Sequence, residues 1–332
     1  MTDYKTIFGK NIRLQTSDLT MSTATEGELF YSDSDKEFKV GIGVLAWSAG
    51  GSLNGPRDSL MTGDDSTQTA GIVFGGHIGP GMQATTETYD GSSWTEVGDL
   101  NTARQLGAGA GTQTSALCAG GKVPPGSTDK DESEEYDGSS WTEGNDMGTA
   151  RYGLAGAGSQ TAAVVFGGYV TAVLDQTEEY NGTSWSEVND LNTAKYEVAG
   201  CGSQTAALGF GGYDTASSAV TEEYDGTNWT ASNNLNTARR RTSGGGAQTD
   251  ALCFGGLRAP SNTLATNTER YDGTSWTAVP SMGTARYYLG GLGASGTAGL
   301  AMGGLTSGSA TAYTNATEEF SATITLKTLT DS

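Results

Sequence analysis

The stretch YDGSSWTEGNDMGTAR, residues 136–151, decides the fold, because it is one copy of a pattern that fills most of the chain. Y-D-G-x-x-W recurs at Tyr89–Trp94, Tyr136–Trp141, Tyr224–Trp229 and Tyr271–Trp276, and the copy at Tyr180–Trp185 reads Y-N-G. All six tryptophans share one register: Trp47, Trp94, Trp141, Trp185, Trp229 and Trp276 are spaced by 47, 47, 44, 44 and 47 residues. Outward from this stretch the same period persists. A T-A-[RK] step ends at Arg104, Arg151, Lys195, Arg239 and Arg286, with Arg57 in a divergent Gly-Pro-Arg. A Gly-Gly pair falls at 75–76, 120–121, 167–168, 211–212, 255–256 and 303–304.

A period in the range of about 40–50 residues suits one four-stranded propeller blade. Each unit reads as strands a to d. Strand a follows the Arg and is rich in Gly and Ala, as in LGAGAG at 106–111. Small residues fit where inner strands crowd an axis. A T-Q-T or S-Q-T turn follows. Strand b is short and apolar and ends at Gly-Gly, as at Ile72–Phe74. Strand c carries the Tyr, and strand d the Trp. Between them Asp-Gly predicts a type I′ hairpin, whose two central residues both need positive φ. A stacked β-solenoid is the alternative, although its repeats are usually shorter.

An Arg-led strand, an apolar strand ending in Gly-Gly, then a Tyr and a spaced Trp together resemble the kelch repeat over residues 47–320. The resemblance implies an all-β, six-bladed β-propeller. Asp-box hairpins of sialidase-type propellers also contain Asp, Gly and Trp, but they separate the Asp from the Gly.

Composition agrees with a β-rich repeat. Gly is 51 of 332 residues, about twice the usual ~7%. No apolar run reaches the roughly 18 residues of a membrane-spanning helix. The first residues lack the apolar core of a secretory signal, so no membrane insertion and no export are expected. Cys118 and Cys253 occupy the same strand-b position, which reads as small buried hydrophobes. The formal net charge of −20 argues against a phosphate-binding surface, so no nucleic-acid partner is expected.

The two ends of the repeat are complementary. Trp47 lacks a preceding Tyr-Asp-Gly, and Glu318-Glu319-Phe320 matches strand c without a following turn or Trp. Trp47 is therefore expected on an N-terminal strand that completes the last blade, which closes the ring and removes two open sheet edges. Beyond Phe320, alternation through Ala322, Ile324 and Leu326 predicts that strand c runs on and pairs near the N-terminal segment. The competing reading bends residues 322–329 into the strand-d slot. This gives three regions: 1–46 with a hairpin around a polar turn at 32–36, the repeats at 47–320, and a C-terminal strand at 321–332.

Within the first region, GKNIRLQTSDL at 9–19 followed by EGELFY at 26–31 resembles N-terminal stretches of virion proteins from tailed, especially marine, bacteriophages. In those proteins a similar leader precedes kelch-like repeats. The resemblance implies a virion structural protein, such as a tail-fibre or adhesion component. It would be oligomeric through the particle and contact other virion proteins or a host surface glycan or receptor. A capsid decoration protein is a variant of this reading.

Catalytic chemistry finds little material. His77 is the only histidine, which leaves nucleophile–histidine systems one candidate base, placed in a variable loop. Copper-radical oxidases of the kelch type need several histidine and tyrosine ligands. No zinc spacing occurs, and no cofactor is implied. The carboxylates Glu87, Glu134, Glu178, Glu222, Glu269 and Glu318 stand two residues before each strand-c aromatic. A glycosidase would need such carboxylates as a pair. A residue repeated in every unit is more often architectural, and these are expected to pair with the Arg/Lys series. A glycan-active propeller remains the enzymatic alternative to a non-enzymatic binding protein.

Recognition is expected on the b–c loops, which differ in every unit: His77–Thr86, Lys122–Ser133, Tyr169–Thr177, Tyr213–Thr221, Leu257–Thr268 and Leu305–Thr317. Variable loops on a rigid scaffold commonly carry binding. His77, Tyr169, Tyr213, Arg258 and Tyr313 are their candidate contact residues.

Overall fold

The computed structural model describes residues 3–7, 10–15, 29–32, 37–123, 128–309 and 311–328. The polar turn at 33–36, residues 16–28 of the leader, the side chains of Ile324 and Leu326, and Leu329 lie outside what is described. Among the described residues every regular element is a β-strand. The chain divides into Trp47–Phe320 and a second unit made of Met1–Ala46 with Ser321–Ser332.

Within Trp47–Phe320 the described residues form five four-stranded antiparallel sheets in a propeller-like arrangement. The second is typical: Ala108–Thr112, Ser115–Ala119, Ser133–Tyr136 and Trp141–Glu143, each paired with the next. Gly-rich strand a is explained by close approach of its neighbours. A Cβ added at Gly109 would lie 2.2 Å from the Thr62 carbonyl oxygen, and one at Gly156 would lie 2.6 Å from that of Gly109. Strand b is buried along its length, as in the GIVF strand Gly71–Phe74. Cys118 and Cys253 are buried there as free thiols.

The Asp-Gly turns correct the type I′ expectation. Tyr136 pairs directly with Trp141, so the loop is four residues long, and only Gly138 (φ +94°) is left-handed. Asp137 instead accepts the backbone N–H groups of Ser139 and Ser140, both at 2.8 Å. This Asx-type capping recurs at Asp90, Asn181, Asp225 and Asp272.

Tryptophan joins neighbouring sheets. Trp141 packs on Phe74 of the preceding sheet at 4.8 Å and donates its indole N–H to Thr86 Oγ1 at 3.0 Å. Trp229 reaches Thr177 and Trp276 reaches Thr221 in the same way. Ser133 stands where the others have Thr, and Trp185 donates to the Asn145 carbonyl instead. The turn glutamines add a second latch: Gln160, Gln204 and Gln248 each donate to two carbonyls of the preceding sheet. Tyr180 and Tyr224 donate to Glu135 and Glu179.

Strands Gly290–Ser295, Ala298–Met302 and the start of Thr317–Thr328 form a sixth set, and the end of Glu37–Ala49 lies beside the last of them. The Trp47 ring lies 5.2 Å from Phe320. In the other repeats the Tyr–Trp distance is 4.9–5.1 Å. Trp47 donates to Thr268, and Trp94 to Thr317, each at 3.0 Å.

In the second unit Asp3–Ile7 pairs antiparallel with Lys10–Gln15, which pairs parallel with Leu29–Ser32. Leu29–Ser32 forms a hairpin with the start of Glu37–Ala49, with Tyr31 opposite Phe38. Thr323 and Thr325 hydroxyls donate to the carbonyls of Val44 and Ile42 at 3.4 Å.

Candidate functional site

Beneath the face reached by the Gly-Gly turns runs a buried layer of ion pairs. Arg104 Nη2 meets Glu134 Oε1 at 2.8 Å, and its Nη1 donates to the carbonyls of Gly120 and Glu132. An equivalent ion pair joins Arg57 to Glu87 (2.7 Å), Arg151 to Glu178 (2.9 Å) and Lys195 to Glu222 (2.9 Å), and also joins Arg239 to Glu269 and Arg286 to Glu318. Each Glu also accepts a backbone N–H from the connection arriving from the preceding sheet: Asn54, Asn101, Gly148, Asn192, Asn236 or Gly283, at 2.5–2.8 Å. These carboxylates are thus occupied by structural donors. Burial pulls the Arg57, Arg151 and Lys195 pKa values below their usual range, with the partner Glu opposing.

Above this layer the backbone makes two further sets of contacts. After each Gly-Gly, whose residues both have positive φ, the next residue bridges to the one after the Arg or Lys. The pairs are Asp58 with His77, Gln105 with Lys122, Tyr152 with Tyr169, Tyr196 with Tyr213, Arg240 with Leu257 and Tyr287 with Leu305. One residue further along, Ser59, Leu106, Gly153, Glu197, Arg241 and Tyr288 are all left-handed, with φ between 52° and 66°. Their backbones form a circuit: Leu106 N–H donates to Ser59 C=O, Gly153 to Leu106, Glu197 to Gly153, Arg241 to Glu197, Tyr288 to Arg241 and Ser59 to Tyr288, at 2.7–3.3 Å. A left-handed non-glycine residue costs on the order of 1–2 kcal/mol, and the circuit offsets that cost by satisfying groups that would otherwise be buried unpaired.

These contacts set the side chains. Tyr169 and Tyr213 join Tyr152 and Tyr196 in one row, with ring centroids 5.6, 5.2 and 5.7 Å apart in the order 152, 169, 196, 213. Lys122 Nζ lies 3.8 Å over the Tyr152 ring, and the Arg240 guanidinium 4.3 Å over Tyr213. His77 and Tyr313 meet elsewhere, with Nδ1 3.3 Å from the phenol oxygen. Arg258 stands in a small sheet with Arg239–Arg240 and Thr263–Leu264. Sequence reasoning missed Asp58, Tyr152, Tyr196, Glu197, Arg240, Arg241, Tyr287 and Tyr288. Their signal was present: they stand one or two residues after the fixed Arg/Lys, where identity varies among the repeats.

A polar cluster adjoins the row. Arg241 Nε and the Tyr288 hydroxyl both donate to buried Glu197 Oε1, at 2.8 and 2.6 Å, and the Arg241 guanidinium lies 4.3 Å over the Tyr288 ring. Burial, then Glu197, raises the Tyr288 phenol pKa. Asp58 is buried with Oδ1 3.5 Å from His77 Nδ1. Burial pushes the Asp58 carboxyl up to about 7 and lowers the His77 imidazole. A cavity of about 120 Å³ opens beside this cluster, bordered by Ser59, Leu106, Gly153, Glu197, Arg241 and Tyr288.

At the other end of the a strands, repeat 1 carries two extra residues. Arg57 precedes Gln68 by 11 positions, whereas Arg104 and Gln113 are 9 apart. Asp64 falls in this insertion and lines a cavity of about 310 Å³. Burial, then Asp65, raises its carboxyl well above the usual range, and the Gly202 and Gly158 backbone N–H groups oppose this. Among the described residues no group of three or more His, Cys, Asp or Glu side chains is set to hold a metal ion.

Compared with known proteins, the chain matches no family model and no curated protein.

Proposed function

We propose that the chain is a closed six-bladed, kelch-like propeller serving as a non-enzymatic binding module of a tailed-phage virion, at a tail fibre or adhesion structure. Its recognition surface is the face at the Gly-Gly turns. One observation carries the binding assignment: six backbone pairs occupy equivalent positions, yet their side chains range over Asp/His, Gln/Lys, Tyr/Tyr (twice), Arg/Leu and Tyr/Leu, while the residue just before the first of each pair is always Arg or Lys. A rigid frame with changing side chains is the usual construction of a binding surface. The occupied ring carboxylates give a glycosidase no free pair there. Grafting Gly-Ser segments over the b–c loops of two blades is expected to leave folding intact and reduce adsorption to host cells. Unchanged adsorption after all six grafts overturns the assignment.

Six blades and closure are supported by the backbone circuit through six left-handed residues and by the Trp47–Phe320 contact. Deleting residues 1–50 then removes the outer strand of one blade and is expected to lower the melting temperature of the whole propeller. An unchanged melt overturns closure. The virion assignment rests on the leader resemblance. Removing residues 1–40 is expected to abolish incorporation into particles, and particles that still carry the truncated chain overturn it.

A further inference from the structure

We infer that the row Lys122–Tyr152–Tyr169–Tyr196–Tyr213–Arg240 is a carbohydrate subsite for an uncharged oligosaccharide. The inference rests on reading this face as the recognition surface and names its ligand class.

Two groups of tyrosine contrast in this chain. Tyr89, Tyr136, Tyr180, Tyr224 and Tyr271 are fully buried and belong to the packing between sheets. The four in the row are half-buried, on a backbone already fixed by the bridges beneath them. Packing alone does not account for four large amphipathic rings gathered at one edge from two neighbouring sheets. Tyrosine presents an apolar ring with a polar tip, and a sugar presents C–H faces with hydroxyls at its rim, so the two surfaces match.

Charge selects an uncharged ligand. Lys122 Nζ is 2.7 Å from Asp129 Oδ1, and Arg240 Nη1 is 3.7 Å from Glu197 Oε2. Each cation at the ends of the row therefore faces a carboxylate as well as a ring. A phosphate, sulfate or uronate would have to compete with that carboxylate. At the Lys122 end a hydroxyl can instead accept from the cation while donating to Asp129, and at the other end Arg240 offers a donor whose charge Glu197 already balances. A polyproline peptide also docks on aromatic side chains, in a groove lined by them. Here the rings form a single row with interplanar angles of 53–85°, bounded by ion pairs that offer donors and acceptors.

The test uses the full-length chain and calorimetric titration with soluble dextran, β-glucan and mannan oligosaccharides, an alginate oligomer and a polyproline peptide. A saturable millimolar or tighter affinity for at least one neutral oligosaccharide is expected, with little salt dependence. Y169A/Y196A should weaken it at least tenfold while melting stays near that of the parent. Tighter, salt-sensitive binding of alginate, or binding of the peptide alone, overturns the inference. So does the absence of any neutral saccharide binding. If loop grafts still reduce host adsorption in that last case, the recognition face stands and only its carbohydrate chemistry falls. Should neither assay respond, both readings fall.

Discussion

Two adjacent positions in each repeat behave in opposite ways. At 57, 104, 151, 195, 239 and 286 the residue is always a cation, always buried and always paired with a Glu. One residue later come Asp58, Gln105, Tyr152, Tyr196, Arg240 and Tyr287, which range from carboxylate through amide and phenol to guanidinium although their backbones occupy equivalent sites. The first position is dictated from inside. Its side chain must meet a carboxylate that also holds the neighbouring connection and, at Arg57, Arg104, Arg239 and Arg286, a carbonyl of the Gly-Gly turn. The second is held through its backbone bridge, so its side chain can vary from repeat to repeat. The fold thus separates a fixed, paired side chain from a variable one by a single residue step.

The largest expected effect breaks this contrast if it fails. Glu269→Ala leaves Arg239 buried without its carboxylate and frees the Asn236 N–H, and should cost about 3–5 kcal/mol in urea unfolding. Tyr196→Ala, one position past its own ring cation, should cost no more than about 1 kcal/mol. Equal losses would erase the distinction. Replacing Arg239 and Glu269 together by Met should cost less than Glu269→Ala alone, because no charge is stranded.

Asp58 sharpens the comparison, since it is a buried carboxylate at the variable position. Its pKa is raised from 3.8 to about 7 in the fold, so between those values the folded chain holds the proton that the unfolded chain releases. Stability from this group is fully present below about pH 4 and is lost as pH rises through 7. Asp58→Asn should therefore match the parent near pH 4 and exceed it at pH 8, by at most about 4 kcal/mol. Parallel stability curves from pH 4 to 8 would show that His77 and Arg241 already compensate the charge.

The smallest effect concerns the opposite face, where the turns are nearly constant. Gly138→Ala places a side chain at φ +94° and should cost about 1 kcal/mol. Asp137, held down to about 2 by the Ser139 side chain and the backbone N–H groups of Ser140 and Ser139, should keep that turn ordered until the pH falls below 3. Amide exchange at Ser139 and Ser140 reports it: faster exchange below pH 3, relative to the intrinsic rate, is expected.

Much of the architecture was readable from residues because repetition exposes constraint. The Trp register, the Gly-Gly pairs and the Arg and Glu series each recur at fixed offsets, and six copies distinguish a rule from chance. The hairpin type was misread because Asp-Gly is consistent with two turns. The choice is made by the Asp carboxylate reaching two N–H groups, a matter of local geometry rather than composition. The tyrosine row was half-read: Tyr169 and Tyr213 lie in obvious variable loops, but Tyr152 and Tyr196 follow a repeated motif and looked like the start of a strand.

What the sequence determined by itself is the unit: a period, four strands and the internal partners of each. These depend on contacts within one repeat or between identical neighbours, so they are written in every copy. Only the tertiary structure decided which unlike residues meet. Ser59, Leu106, Gly153, Glu197, Arg241 and Tyr288 share a left-handed backbone because hydrogen bonds from adjacent repeats impose it. Tyr169 touches Tyr196, and Glu197 gathers Arg241 and Tyr288, because the arrangement of the sheets brings positions about 30 to 90 residues apart within reach. No local pattern encodes such a meeting, since each partner's neighbours in sequence point to a different task.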